Sequence, residues 1–400
     1  GRSPSPPIPP FPHLLSYLSW PFWPLLPLYP YGQRRTLRQE VVQDTIWTFD
    51  QLQGILYVVV PIRMTIIKLS SGGLLVYAPV APTPECVRLV NELVDLHGDV
   101  KYIILPTVSG LEHKIFVGPF ARHFPQAQVF IAPHQWSFPF NLPVTWLGLP
   151  GNRTHILPVD SRQAPFSAEF DYHILGPINL GPGQFEEVAL LHRATGTVCV
   201  TDTIISLSEQ PPAIAQFDPY PLLFHAKDSA SDPIQDTPEN RRKGWQRICL
   251  FALYFQPSVL ETPQWSTVFK KVISAPDRSK KAYFGLFPFN WKPNWKQAFQ
   301  PLQNRLWVAP VLQTLILNRA PQQVLNWSEK VARWDFQHLI PCHFSAPIRA
   351  TGYDFRQAFC FLKQHPLSPY SLPPEDLKLL QTIDRTLSQR RIVPPAQQKV

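Results

Sequence analysis

Several things are scarce in this sequence, and each scarcity excludes something. Charged residues make up only 16% of the chain, against about 25% in an average soluble protein, while apolar residues reach 44%, enough to build a folded globule. Cysteine is sparse as well: five residues, at 86, 199, 249, 342 and 360, odd in number, widely spaced and without a CxxC pair. That excludes a disulfide framework and a cysteine-rich zinc site, and it suggests a reducing compartment. No repeat period runs through the chain, so collagen-like and solenoid architectures are out. An uninterrupted membrane-length apolar run is also missing. Residues 11–31 come nearest, but Pro12, Pro21, Pro24, Pro27 and Pro30 would break a helix there again and again.

Proline itself is abundant, with 47 residues where average usage gives roughly 20, which implies a fold rich in rigid connections. The formal charge of +9 attracts anionic partners. The basic residues nevertheless come in short groups: Arg34-Arg35, Arg241-Arg242-Lys243, Lys270-Lys271, Lys280-Lys281 and Arg390-Arg391. Such groups read as solvated edges, and without a basic stripe nucleic-acid binding is not supported.

The chain begins at Gly1 rather than Met, which reads as a processed or fragment start, and GRSPSPPIPP as a disordered or polyproline lead-in. Within residues 11–38, Trp20, Phe22, Trp23, Tyr29 and Tyr31 precede Arg34, Arg35 and Arg38. These aromatics are either interfacial anchors for a peripheral membrane contact or an apolar arm laid over the protein's own core. Both readings stay open here.

From Thr45 the pattern turns strand-like: TIWTFD, then ILYVVVPIRMTIIKL, a Gly72-Gly73 turn and LLVYAP. Thr83-Pro84 is an N-cap with proline at the first helical position, opening a helix that Gly98 ends. YIILP, a short helix near 115–123 and QVFIAP continue an alternating α/β pattern. EEVALLH and TVCVTD make a hairpin, GWQRICLFALYF is a buried helix, another helix lies near 321–334, LIPCH is a strand, and an amphipathic helix spans about 373–390. Three of these apolar strands end on chemically active side chains: YIILPTVSGLEH on Glu112 and His113, TVCVTD on Asp202, and LIPCH on His343. In α/β sheets, functional groups gather beyond strand ends. Two imidazoles and two carboxylates suit one divalent ion such as zinc, iron or manganese. Trp136, Phe138, Phe140, Trp291 and Trp295 are candidates for an apolar wall, with core packing the alternative. His123, His134, His192 and His225 are given no role.

The motifs PIRMTIIKL, LLVYAPVAPTPEC, LPTVSGLEHKIFVGPFARHFP, QWSFPFNLP, VTDTI, GWQRICLFALYFQPS and IPCHFSAPI, from about Thr36 to Leu362, resemble the family called domain of unknown function 4336, found in cyanobacteria and plant plastids. That family is similar in turn to metallo-β-lactamase-fold proteins. The resemblance implies an α/β fold, a four-layer αββα sandwich with the site at a sheet edge, and a plastid or cyanobacterial setting, membrane-associated if the arm is an anchor. Laid on the superfamily's HxHxDH motif, the last two positions fall on Glu112 and His113, and the first two on Val108 and Gly110, which have no ligating side chain. No histidine stands near Gly183-Gln184, where the superfamily's middle histidine belongs. The bridging aspartate matches Asp202, and the final histidine matches His343.

The resemblance therefore implies a reduced site of at most one metal, with His113, Asp202 and His343 as ligands and Glu112 as a fourth ligand or general base; Glu112 and Asp202 are the candidate catalytic carboxylates. Glu186 and Glu187 lie close to the vacated turn, and Cys342 is a conceivable extra ligand. The expected organisation is an N-terminal arm (1–35), a main domain (36–365) with an insertion at about 205–300, and a C-terminal helix and tail (366–400). Three functions follow. One is a metal-dependent hydrolase of a small ester, thioester or phosphoester, its substrate unknown. Another is a non-catalytic scaffold, with or without bound metal, near a photosynthetic membrane. RNA binding, which the fold also serves elsewhere, depends on the full HxHxDH set and is the weakest.

Overall fold

Alternation of apolar side chains along extended segments puts every second residue on one face of a sheet, and here both faces of two sheets are covered. A computed structural model describes residues 16–25, 28–108, 112–135, 148–364 and 371–400. Strands β1 (Leu37–Val42), β2 (Ile46–Ile55), β3 (Val58–Lys68), β4 (Leu74–Tyr77), β5 (Val100–Leu105), β6 (Gln128–Ile131) and β7 (Thr154–Ile156) form one sheet in sequence order. It is antiparallel from β1 to β4 and parallel from β4 to β7. The parallel part needs crossovers, which α1 (Pro84–His97) and α2 (Glu112–Arg122) supply. Thr83 caps α1 through Cys86 N, Pro84 stands in its first turn and Gly98, at φ 101°, follows its end, as the sequence predicts.

The second sheet runs β14–β13–β10–β9–β8, from β8 (Phe170–Asn179), β9 (Gln184–His192), β10 (Thr197–Cys199), β13 (His338–Ile340) and β14 (Ile348–Arg349). Three apolar layers hold the stack together. Phe49, Met64, Val76 and Ile103 of the first sheet pack beneath Leu89 and Val90 of α1 and Phe116 and Phe120 of α2. The opposite faces of the two sheets meet through Ile67, Tyr77 and Ile104 against Tyr172, Leu190 and Ile340. Outside the second sheet, Leu191, Val198 and Leu339 are covered by Val324 and Trp327 of α8 (Pro321–Ala332) and Phe355 of α9 (Gly352–Ala358). This is the expected four-layer αββα sandwich. The chain closes with α10 (Lys378–Gln389).

Between β10 and α8 lie α3 (Tyr220–His225), α4 (Pro238–Tyr254), α5 (Trp265–Lys271), α6 (Trp295–Phe299) and α7 (Pro310–Leu315), with the small pair β11 (Leu260–Glu261) and β12 (Asn290–Trp291). Their apolar residues share one core with Leu37, Leu52 and Val59 of the first sheet. Trp291 and Trp295 belong to that core, where they flank the Arg247 guanidinium, so core packing is their role and the pocket-wall expectation is corrected. Trp136, Phe138 and Phe140 lie outside the described residues.

Three further readings are decided. ILYVVVPIRMTIIKL is not one strand, because Leu56 and Tyr57 form a two-residue turn between the paired Ile55 and Val58. Both turn residues are left-handed, at φ 54° and 61°, a conformation usually given to Asn-Gly. The compensation comes from packing: Tyr57 sits among Tyr29, Tyr220, Phe224 and Tyr283 at centroid distances of 5.1–5.2 Å and donates its hydroxyl to Lys281 O. In the N-terminal arm, Trp20 is 2% exposed and packs edge-on against Phe116, so it belongs to the core rather than to an interface. Arg34 is likewise buried, not a solvated edge.

Between β10 and α8, helices α3 and α4 pack on each other through a close backbone approach. A Cβ at Gly244 of α4 would stand 1.7 Å from Leu222 O of α3, so Gly244→Ala forces the helices apart. Overpacking of this kind costs typically 1–3 kcal/mol, only partly offset by alanine's helix propensity of about 1 kcal/mol. A lower urea midpoint at unchanged slope is expected in equilibrium unfolding.

Candidate functional site

Asp202 and His343 meet because their strands are parallel neighbours. Thr197 of β10 pairs with His338 of β13, and each functional residue lies the same distance further along its own strand. His343 Nε2 stands 3.1 Å from Asp202 Oδ1. The other ring nitrogen, Nδ1, lies 3.0 Å from Pro61 O; since a carbonyl can only accept, Nδ1 carries a hydrogen. Burial disfavours the imidazolium, but the Asp202 hydrogen bond and charge, then Glu112, then Pro61 O, outweigh it and raise the His343 pKa.

The loop carrying His343 is gripped by β3. Arg63 donates Nη1 to Pro341 O at 2.7 Å and Nη2 to Phe344 O at 2.6 Å, while Nε bonds Asp50 Oδ1 at 2.7 Å. Asp50 and Arg63 are directly paired on β2 and β3, and both are buried. The Asp202 turn is gripped from β9. The buried Glu187 carboxylate accepts from Thr201 Oγ1 at 2.6 Å, Asp202 N at 2.7 Å, Thr203 N at 3.0 Å and the Thr203 hydroxyl. Burial, followed by the Asp202 charge, pushes the Glu187 pKa up, and these four donors pull against that rise.

Glu112 and His113 open α2 on the other sheet. His113 Nδ1 is 2.9 Å from Pro79 O, and its Nε2 is buried without a hydrogen-bond partner. Burial lowers the His113 pKa to about 4, so the ring is neutral at ordinary pH. Glu112 is raised by desolvation and by the Asp202 charge, and lowered by His343 and the buried Arg34. The four expected residues thus share one electrostatic neighbourhood. Of them, Asp202 and His343 are joined directly, by an ion-pair contact. Among the described residues no group of three or more His, Cys, Asp or Glu is gathered so that it could hold a metal ion.

The accessory expectations resolve individually. Glu186 accepts from His134 N at 2.6 Å and pairs with His134 Nδ1 at 3.0 Å, and Glu187 serves the Asp202 turn, so both carboxylates are already engaged. Cys342 is packed between the sheets, and burial raises its thiol well above the usual range. It packs in the core between the sheets. Val108, at the first motif position, is buried, and Lys114 Nζ holds its carbonyl at 2.9 Å; Gly110 lies outside the described residues. Gly183 and Gln184, where a histidine is missing, line a surface hollow of about 520 Å³ that neither Asp202 nor His343 reaches.

Sequence reasoning passed over Arg63 and Asp50, and it placed Glu187 near the vacated turn without identifying its grip on the Asp202 turn. The signal was present: Arg63 is a charge inside the run VVVPIRMTII, and a buried charge requires a partner. Removing one member of the Asp50–Arg63 pair is expected to cost roughly 3–5 kcal/mol, because the other is left buried and uncompensated. The double variant Asp50→Leu/Arg63→Met should lose clearly less than the sum of the singles in a double-mutant cycle by urea unfolding. For His113 the sign is opposite to that of a paired histidine. The unfolded chain takes up this proton near pH 6.5 and the folded chain only near 4, so stability falls as pH drops between those values. In metal-free protein, His113→Asn should flatten that fall, worth up to about 3 kcal/mol, in thermal melts recorded from pH 7 to 4.

Comparison with known proteins follows the same lines. A family described as Domain of unknown function (DUF4336) matches residues 43–361, and no curated protein matches the chain significantly. Among solved structures, the metal-soaked flavodiiron core of a Synechocystis protein is 11% identical, with a TM-score of 0.45 over 91% of this chain and 72% of that one. A metallo-β-lactamase from Hirschia baltica is 9% identical, with a TM-score of 0.37 over 81% and 95%. A flavoprotein from Thermotoga maritima is 9% identical, with a TM-score of 0.40 over 82% and 61%. These figures describe overlap of architecture and transfer no activity to this chain.

Proposed function

The chain belongs to the DUF4336 family, and from that premise we propose that it is a metallo-β-lactamase-like protein with a site reduced to at most one divalent cation. The observation that carries this reading is the matched orientation of two imidazoles. His113 and His343 each turn Nδ1 toward a backbone carbonyl, Pro79 O at 2.9 Å and Pro61 O at 3.0 Å. Metal-binding histidines are held in this way, because the bond at one nitrogen fixes the lone pair at the other. His113 Nε2 is a buried nitrogen with nothing bonded to it, and a neutral ring is the form that can coordinate.

The donors therefore fit one ion in type and tautomer: His113, His343 and Asp202, with Glu112 as fourth ligand or general base. Zinc, iron and manganese all accept such a set. A bound ion would supply Lewis acidity, polarising an ester, thioester or phosphoester oxygen and acidifying water. The chain's own residues do the rest. Arg63 fixes the His343 loop, Glu187 fixes the Asp202 turn, and the raised pKa of Glu112 suits it to proton transfer nearer neutral pH. Hydrolysis of a small ester, thioester or phosphoester is the reaction class this supports.

One observation favours a second reading, a non-catalytic scaffold. His343 Nε2 is already bonded to Asp202, and the described residues gather no third donor. Metal content separates the two. Protein from zinc-, iron- and manganese-replete medium, exhaustively dialysed, is expected to retain close to one ion per chain by elemental analysis. His113→Ala and His343→Ala should each reduce that to background while leaving the far-ultraviolet circular dichroism intact. Background metal in the unaltered protein would leave the scaffold standing.

A further inference from the structure

The insertion carries a surface with no counterpart in the site. In α5 and the single 3-10 turn that continues it to Ser274, Trp265, Phe269 and Ile273 recur every fourth residue on one helical face. That face is turned outward: the three side chains are 53%, 61% and 77% exposed, and Trp265 and Phe269 touch ring to ring. Val268, on the adjoining face, is the one that packs inward. The segment then folds back on itself. Gly285 lies against Val272, Ala275 and Arg278, and the Arg278 guanidinium donates to Ile273 O. This brings the chain at Phe284, exposed and left-handed at φ 58°, beside the 3-10 turn that carries Ile273.

The neighbouring surface continues the pattern. Tyr283 packs on Tyr57, the residue after the exposed Ile55 and Leu56 of the β2–β3 turn. Tyr57 also packs on Tyr29, which touches the exposed Tyr31 of the N-terminal arm. Charge surrounds this apolar rim. Between residues 265 and 285 there are Lys270, Lys271, Arg278, Lys280 and Lys281, and a single carboxylate, Asp277. All five cations are exposed.

We propose that this rim docks the protein on an anionic lipid bilayer, with Trp265, Phe269, Ile273 and Phe284 entering the headgroup boundary and the five cations facing lipid phosphates. The choice of occupant rests on the side chains. Aromatic and aliphatic residues on one face of a short helix, flanked by lysines, match the chemistry of an interfacial segment lying in the membrane plane. Nucleic acid would use the rings and the lysines but gain nothing from Ile273, Ile55 and Leu56. A second copy of the chain would set one cluster of cations against another. Among the described residues no helix is long and apolar enough to cross a membrane, so the contact is peripheral.

The test is co-sedimentation of the full chain with vesicles of phosphatidylglycerol and phosphatidylcholine in equal parts, beside vesicles of phosphatidylcholine alone. Binding is expected to the anionic vesicles only, and to weaken steeply as salt screens the cations. Trp265→Ser/Phe269→Ser/Ile273→Ser should lower the partition coefficient at least about tenfold. Lys270→Glu/Lys271→Glu/Lys280→Glu/Lys281→Glu should abolish binding at low salt. These side chains are exposed, and an unchanged melting temperature confirms that each variant is folded. The proposal is overturned if the unaltered chain stays in the supernatant with anionic vesicles, or if the triple serine variant binds as well as the parent. It also fails if the patch instead drives a concentration-dependent dimer that the triple variant loses, without vesicle binding.

Discussion

Arg63 is the group around which this molecule is arranged. Its guanidinium is 3% exposed in the middle of β3 and receives a full counter-charge from Asp50 one strand away. An isolated cation there would cost several kcal/mol in desolvation, and the pair is tolerable only because its remaining hydrogens are also used. They are used on the backbone of the loop that follows β13. Pro341 O and Phe344 O accept from Arg63 on either side of His343, while Ile62 makes a bridge with His343 itself. The bidentate reach of a planar guanidinium makes this possible, and a lysine could not reproduce it. One buried ion pair thus ties β3 to the loop after β13, at the edge where the candidate side chains emerge.

The same edge shows how a site can be held rigid by hydrogen bonds. Here Glu187 gathers four donors from three consecutive residues around Asp202, and Lys114 holds the carbonyl of Val108. The loops are therefore fixed by the protein's own charges. His343 and His113 feel this frame in opposite directions. The first is drawn toward the imidazolium by Asp202, whereas the second is kept neutral by burial.

Much of this was legible in the sequence, for identifiable reasons. The layers follow from period-two apolar runs, and the ends of α1 from Thr83, Pro84 and Gly98, whose effects are local. The meeting of Asp202 with His343 was inferable because both stand just beyond short apolar strands, which parallel pairing then puts side by side. The turn at Leu56-Tyr57 was not legible. Its left-handed backbone is stabilised by Tyr220 and Tyr283, which lie more than a hundred residues away and carry no local signal. The roles of Trp20, Trp291 and Trp295 were hidden for the same reason, since an aromatic at an interface and one in a core look alike until the fold chooses. Whether four donors converge on one point is a matter of ångströms that spacing along a chain cannot encode.

The β2–β3 hairpin finally links the two ends of the molecule. Its turn, with the exposed Leu56 and the buried Tyr57, sits in the aromatic cluster beside the insertion, and seven residues further along the hairpin Arg63 grips the His343 loop. At about 3.3 Å per residue the two lie roughly 20 Å apart along one extended strand. That strand is paired with β2 from Val58 to Ile67, with β4 joining it on the other side from Thr65 to Lys68, so its position is tied to the β2 ladder. A surface docked through the insertion and the Leu56 turn would therefore hold Asp202 and His343 at a fixed height above it. The buried Tyr57 connects the two: it is packed by rings from the arm, the insertion and α3 at once, so none of these segments can shift without disturbing the strand that orients the site.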